Sequence, residues 1–281
     1  AGLFSLRLSI FDRMKSPKEI SIEKKILDAL VPGSVSYLTA ELLMADTEIQ
    51  LMQEYANTVS IVRLGYNDHG PVHMRKVTLN AVTMMNLLHE AGIKPNIEQE
   101  NSGNLDDALT AVILASFLHD LGMAMGRQDH ELYSMSLANP IIDRILAQVY
   151  PSSIEKRIAV RSVALEGIIG HMASRRIHSI EAGLILVADG CDMEKGRARI
   201  PMVLNTEAKA GDIHKYSANS IEKVAIHKGV HKPVRITVDM SSDVGFFQIE
   251  EVMLPKINMS PVKPYLELYA GLQEQEPKKY L

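Results

Sequence analysis

Apolar residues recur at helical spacing along most of the chain's first two hundred positions, and the pattern changes only towards the C-terminus. Residues 48–64 carry such a pattern, stopped at Gly65. Gly70-Pro71 then punctuates the chain; proline suits a first helical position, where its missing N–H would have no partner anyway. The spacing predicts a helix over 71–91, with Val77, Val82, Met84, Met85 and Leu88 as its apolar positions and Gly92 as its stop. Residues 93–104 form a polar loop. Asn104 is placed to cap the next helix, and Asp106 and Asp107 fall in its first turn, where the helix dipole favours negative charge. That helix, LDDALTAVILASFLHD, is apolar nearly all round after its first turn, which predicts a central position, with Gly122 as its end.

Three further helical segments follow. Residues 130–149 are helical in pattern, with Pro140 as a kink or break. Ser152 and Glu155 form a capping box for a helix running to about 170, and 179–191 is another helix with Glu181 in its first turn. Beyond it, VRITVDM (234–240) and GFFQIEEVML (245–254) are rich in β-branched and aromatic residues, and the intervening SSDV predicts a hairpin. Residues 261–272 are amphipathic and predicted helical. The expected fold is mostly α: an N-terminal segment (1–47), a helical bundle (48–204) and a small α+β C-terminal region (205–281) containing a β-hairpin. No internal repeat is present.

Composition narrows the class. A chain of 281 residues with ordinary hydrophobic and charged fractions buries a sizeable core. A net charge of −4 gives no general footing for nucleic-acid binding. The single cysteine, Cys191, forms no internal disulfide, which suits a cytoplasmic location. No uninterrupted apolar run reaches about 18 residues, so no membrane span is expected. The first residues lack the apolar stretch and cleavage site of a signal peptide, and Met14 is a candidate native start.

The candidate chemistry centres on His119-Asp120, an imidazole and a carboxylate with no residue between them. Together they can grip a divalent ion, and the second carboxylate oxygen can serve another. His73, His130, His171 and Asp189 all fall at or near helix ends, so packed helices can bring them to one cavity. Four histidines and two carboxylates form a mixed nitrogen–oxygen set suited to Fe, Mn, Ni, Co or Zn and poorly suited to Ca. Six ligands exceed what one ion needs while also holding water and substrate, so the expectation is two divalent transition-metal ions bridged by Asp120.

The ordered set His73…His119-Asp120…His130…His171…Asp189 resembles the HD-domain superfamily of metal-dependent phosphohydrolases. HMRKV (73–77), LHDLGM (118–123), DHELYSMSLANPIIDRIL (129–146), IIGHM (168–172) and LVADGCDMEKGRAR (186–199) are similar to its successive motifs, over roughly residues 69–200. The chain lacks the Gly-Tyr-Pro signature and the paired histidines of members that cleave cyclic di-guanylate. The resemblance implies hydrolysis of a phosphoester or phosphoanhydride in a small phosphate-containing molecule, a nucleotide, by a metal-activated water. Lys76, Arg127, Lys195 and Arg197 are the phosphate-binding candidates, with Arg199 nearby. His69 is read first as an exposed loop histidine; as a catalytic residue beside Asp120 it would protonate the leaving group. Asp192, one turn beyond Asp189, supports the ligands or is solvated. Two other classes share this ligand set: a di-iron oxygenase, and a nucleotide-binding regulatory module with a non-catalytic site. Residues 205–281 are expected to pack, to cover the cleft or to form a homodimer contact.

Overall fold

The structure is a computed structural model that describes residues 15–195, 217–273 and 275–281. Met14, Arg197 and Arg199 lie outside the described residues. The chain is mostly helical, with a four-stranded sheet near its C-terminus.

Two helices precede the predicted bundle: α1 (Pro17–Asp28), opened by a Ser16–Glu19 capping box, and α2 (Val35–Ala45). After them come α3 (Thr47–Thr58), continued by a π-helical turn (Val59–Arg63), and α4 (Pro71–Glu90). The polar loop contains one helical turn, α5 (Asn96–Gln99). The central helix is α6 (Leu105–Leu118), followed by α7 (His130–Val149), α8 (Ile154–Gly170) and α9 (Ile180–Cys191). α6 packs against α2, α4, α8 and α9, as its all-round apolar surface requires. The stretch Leu105–Ala124 is long and apolar enough to cross a membrane, which counting uninterrupted apolar residues does not register; 94% of its most apolar 18 residues is buried inside the protein.

Both aspartates at the start of α6 act beyond their own helix. Asp107 completes a capping box with Asn104, and its carboxylate also accepts from Tyr150 Oη (2.7 Å) and Lys156 Nζ (2.8 Å). Asp106 accepts from the Val35 and Ser36 backbone N–H groups (2.8 and 3.0 Å), capping α2 from outside. Near the other end of α6, Arg75 is 1% exposed. Its guanidinium donates to Glu23 (2.8 Å), Gln53 (2.8 Å), Gln50 (2.7 Å) and the Pro71 carbonyl (3.1 Å), and lies 4.8 Å from the Phe117 ring centroid. A buried charge so fully bonded fixes the first turn of α4 against α1, α3 and α6.

Several local expectations are corrected. α6 ends at Leu118 with His119 as its cap, and Gly122 falls in a separate 3₁₀ turn (Leu121–Ala124). α7 runs through Pro140 without a break. The cap of α8 is Ser153, whose Oγ accepts from Lys156 N, rather than Ser152.

The C-terminal hairpin pairs different segments from those expected. β1 (Ile221–Lys228) and β2 (Val234–Met240) are antiparallel, so the partner of VRITVDM precedes it. Residues 245–254 are helical, not a strand: Asp243–Gly245 is a 3₁₀ turn, then come α10 (Phe246–Gln248), a π-helical turn (Ile249–Met253) and α11 (Leu254–Met259). Ile249, Met253 and Ile257, at most 1% exposed, recur every four residues, which is the helical period that the β-branched and aromatic content obscured. The predicted helix 261–272 is instead a 3₁₀ turn (Lys263–Tyr265) and β3 (Leu266–Leu272). β3 lies between parallel β2 and antiparallel β4 (Lys278–Lys279), a pairing set by tertiary context. β1 and β2 pack on α4, and one apolar core runs from α1 through to β3.

Candidate metal centre

The predicted ligands converge on one point. His73 is in the first turn of α4, His119 caps the C-terminus of α6, His130 opens α7, His171 caps α8 and Asp189 lies in the last turn of α9. Two backbone features bring them close. Asp129 adopts a left-handed φ of 54°, which aspartate tolerates better than most residues, and turns the chain into α7 at His130. Gly122 N donates to Ser134 Oγ (2.8 Å), and a Cβ on Gly122 would lie 2.0 Å from the His130 carbonyl oxygen. The turn after His119-Asp120 therefore rests directly on the first turn of α7.

Asp120 is the centre of the cluster. Its Oδ2 lies 3.2 Å from His73 Nε2 and 3.4 Å from His119 Nε2. Its Oδ1 lies 3.1 Å from His130 Nε2 and 3.4 Å from His171 Nε2. Each oxygen thus addresses its own pair of imidazoles. Asp189 Oδ1 joins the first pair, 3.2 Å from His73 Nε2 and 3.9 Å from His119 Nε2. Asp120 and all four histidines are buried.

The outer ring nitrogens define the tautomers. Nδ1 of His119, His130 and His171 donates to the carbonyls of Ser116 (2.8 Å), Arg127 (2.9 Å) and Ile168 (2.6 Å). His73 Nδ1 is 2.7 Å from Asp192 Oδ2. A carbonyl only accepts, so the proton of each of those three neutral rings is on Nδ1 and the lone pair is on Nε2. Yet the Nε2 atoms face one another, 3.2 Å apart for His73 and His119 and 3.0 Å for His130 and His171. Opposed lone pairs repel, and Asp120 Oδ2 is buried with no hydrogen-bond partner. An orphan carboxylate oxygen beside inward-facing imidazole nitrogens fits cations. The ligand atoms form two groups of metal-binding size, His73–His119–Asp120 and Asp120–His130–His171.

Protonation states agree with this donor set. Burial raises the pKa of Asp120, but the imidazoles that face it, His119 foremost with His130 and His171, outweigh burial and hold the carboxyl well below its usual range. Burial likewise opposes ionisation of Asp189, and Lys256 and His73 overcome it. Burial pushes the His171 imidazole down to about 4, against the opposing hydrogen bond to Asp120. At neutral pH the carboxylates are therefore ionised and His171 is neutral, as ligation needs.

A cavity of about 680 Å³ opens over the cluster, with Asp120, His171 and Asp189 among the residues lining it. Arg127 and His69 also line it, so both meet the site. Arg127 lies 6.0 Å from the Tyr66 ring centroid. His69 is 7% exposed rather than a surface loop residue, with Nδ1 2.6 Å from the Asn67 carbonyl and 2.9 Å from Ser60 Oγ. Lys76 is not in this wall: it pairs with Asp192 Oδ1 (3.0 Å) and Glu194 Oε2 (2.6 Å), and those carboxylates raise its pKa against the effect of burial. Lys195, half exposed, pairs with Glu222 of β1 and is not among the residues that line the cavity. Asp192 supports His73. Gln248, Glu251 and Lys256 of the C-terminal region also line the cavity, and no motif marks them in the sequence.

Fold and site define a mostly helical protein with a buried histidine–carboxylate cluster able to hold metal ions. The chain belongs to the family of the uncharacterized protein MJ1020 of Methanocaldococcus jannaschii, with which it is 38% identical over 235 residues, 84% of this chain and 88% of that protein. No family model matches the chain, and no solved structure matches it.

Proposed function

We propose that the protein is an HD-type phosphohydrolase that cleaves a phosphoester or phosphoanhydride bond of a small molecule, a nucleotide, at a binuclear metal centre. The observation that carries this reading is the division of Asp120: each carboxylate oxygen faces a separate pair of imidazole Nε2 atoms. His73, His119, Asp120 and Asp189 would hold one ion, and Asp120, His130 and His171 the other. Two divalent cations there supply a polarised phosphoryl oxygen and a water whose pKa falls to near neutrality. Transition metals with mixed nitrogen and oxygen preference, such as Mn, Fe, Co, Ni or Zn, suit the donors.

The chain's own residues do the rest. Asp120 orients both halves of the centre. Arg127 presents a guanidinium fork to the phosphate from the cavity wall. His69, anchored through Nδ1, lines the cavity and, when protonated on both ring nitrogens, would give its Nε2 proton to the leaving oxygen as the phosphorus–oxygen bond breaks.

The test combines metal analysis with a screen of nucleotides, dinucleotide polyphosphates, cyclic nucleotides and generic phosphodiesters, with Mn, Fe, Ni and Mg supplied separately. The wild-type protein should carry two ions and release phosphate or a phosphomonoester. D120A should lose metal and activity together; full activity in D120A would overturn the proposal. Oxygen uptake on a diol or phosphonate without hydrolysis would move the chemistry to an oxygenase.

A further inference from the structure

We infer that Lys256, contributed by the C-terminal region, is a positioning residue of the metal centre that holds both of its halves in register. This rests on the reading of the cluster as a metal centre. Lys256 Nζ donates to Asp189 Oδ2 and, at 3.0 Å, to the carbonyl oxygen of His171. The other oxygen of Asp189, Oδ1, is the one that approaches His73 and His119. The ammonium therefore holds the outer oxygen of the carboxylate and leaves the inner one to an ion. The His171 carbonyl lies at a helix C-terminus, where such groups have no partner within the helix. One ammonium thus ties a ligand of the first half-centre to the backbone that carries a ligand of the second. A lysine present only to balance the charge of Asp189 would need no second acceptor; the His171 carbonyl fixes its direction.

The surrounding chain is built to deliver this side chain. Met253, which precedes α11, and Ile257 within it are at most 1% exposed and anchor this stretch in the core on either side of Lys256. Ser260 Oγ donates to the Gly183 carbonyl (3.0 Å). Two glycines of α9, seven residues apart and so on one face, permit the approach: a Cβ on Gly183 would lie 2.7 Å from Ser260 Oγ, and one on Gly190 would lie 3.3 Å from Lys256 Cδ. The Lys256 side chain is only 12% exposed, and these two acceptors hold its amine.

Loss of an outer partner of a ligand typically weakens metal binding by about 10–100-fold. The experiment is a Mn(II) titration of the metal-stripped full chain, comparing wild type, K256M, K256Q and K256R, with melting curves of the stripped proteins as the folding control. K256M should bind Mn(II) about 10–100-fold more weakly than wild type. K256R, which can donate to both acceptors, should recover most of the loss; a purely steric role for Lys256 gives no such recovery. K256Q, which keeps a neutral donor, carries the test if K256M does not fold, and should fall between K256M and wild type. Wild-type affinity in whichever of the two folds overturns the inference and leaves the metal centre standing. A wild-type protein that binds no ion overturns both.

Discussion

At the scale of single residues, the centre stores a pH dependence that follows from burial. His171 titrates at about 4 in the folded protein, against 6.5 for an ordinary histidine. Between those values the unfolded chain binds a proton that the folded one does not, so stability falls as pH drops through that window, by about 1.4 kcal/mol per unit. Asp120 and Asp189, held below the usual carboxylate range, add in the same direction but only below about pH 4. Denaturant melts of the metal-free protein should therefore show stability declining from pH 6.5 to 4, and H171Q should lack that part of the decline. A flat wild-type profile across the window would contradict the assignment of a neutral, buried imidazole. The residues of the cluster are legible because each combines a donor side chain with a position at or near a helix end. His69 is buried rather than exposed because its ring bonds to Ser60 and the Asn67 carbonyl, and contacts of that kind leave no periodic trace in the sequence. Lys256 was illegible for a similar reason: it becomes specific only through an acceptor 67 positions away and another 85 away.

At the scale of elements, the approach of the 3₁₀ turn after α6 to α7 depends on one glycine. A Cβ at Gly122 would meet the His130 carbonyl at 2.0 Å and the Ser134 amide nitrogen at 2.6 Å, and both obstacles are backbone. Neither can swing aside, so G122A must move the first turn of α7 and His130 with it. Overpacking of this kind costs about 1–3 kcal/mol, and the displaced imidazole leaves Asp120 Oδ1 with one partner fewer. G122A should melt lower than wild type and bind its second equivalent of metal more weakly than its first; unchanged stoichiometry and affinity would show that the turn tolerates the methyl group. The helices α3, α4 and α6 to α9 are readable because their period, caps and proline and glycine stops agree with one another, whereas the single turn of α5 lies in a stretch that reads as a polar loop. The C-terminal elements were not. LELYAGL has the leucine, glutamate and alanine of a helix, and it becomes β3 because β2 and β4 offer it partners on both edges. In 245–254 the two phenylalanines suggested a strand, while Ile249, Met253 and Ile257 bury a helical face.

At the scale of the whole molecule, the sheet and the helices share one core, and the centre couples them again through Lys256. Unfolding of the C-terminal region would expose Ile236, Val238 and Leu268 together with the face of α4 on which the sheet packs. It would also remove the ammonium from Asp189 and His171. Neither part can therefore be lost without cost to the other, which predicts a single cooperative transition. Metal removal should lower that transition as a unit. Ions at one hundred times their dissociation constant stabilise the folded state by about 2.7 kcal/mol per site. In a chain of this size each kilocalorie shifts the midpoint by about 2–4 °C, so stripping one site lowers it by roughly 5–10 °C. Calorimetry of the loaded and chelator-treated protein checks both statements. Limited proteolysis adds an independent reading: the stripped protein should be cut faster throughout the helices and the sheet alike. Two separated transitions, or a metal effect confined to the helices, would mean that the C-terminal region folds apart from the centre that it helps to build.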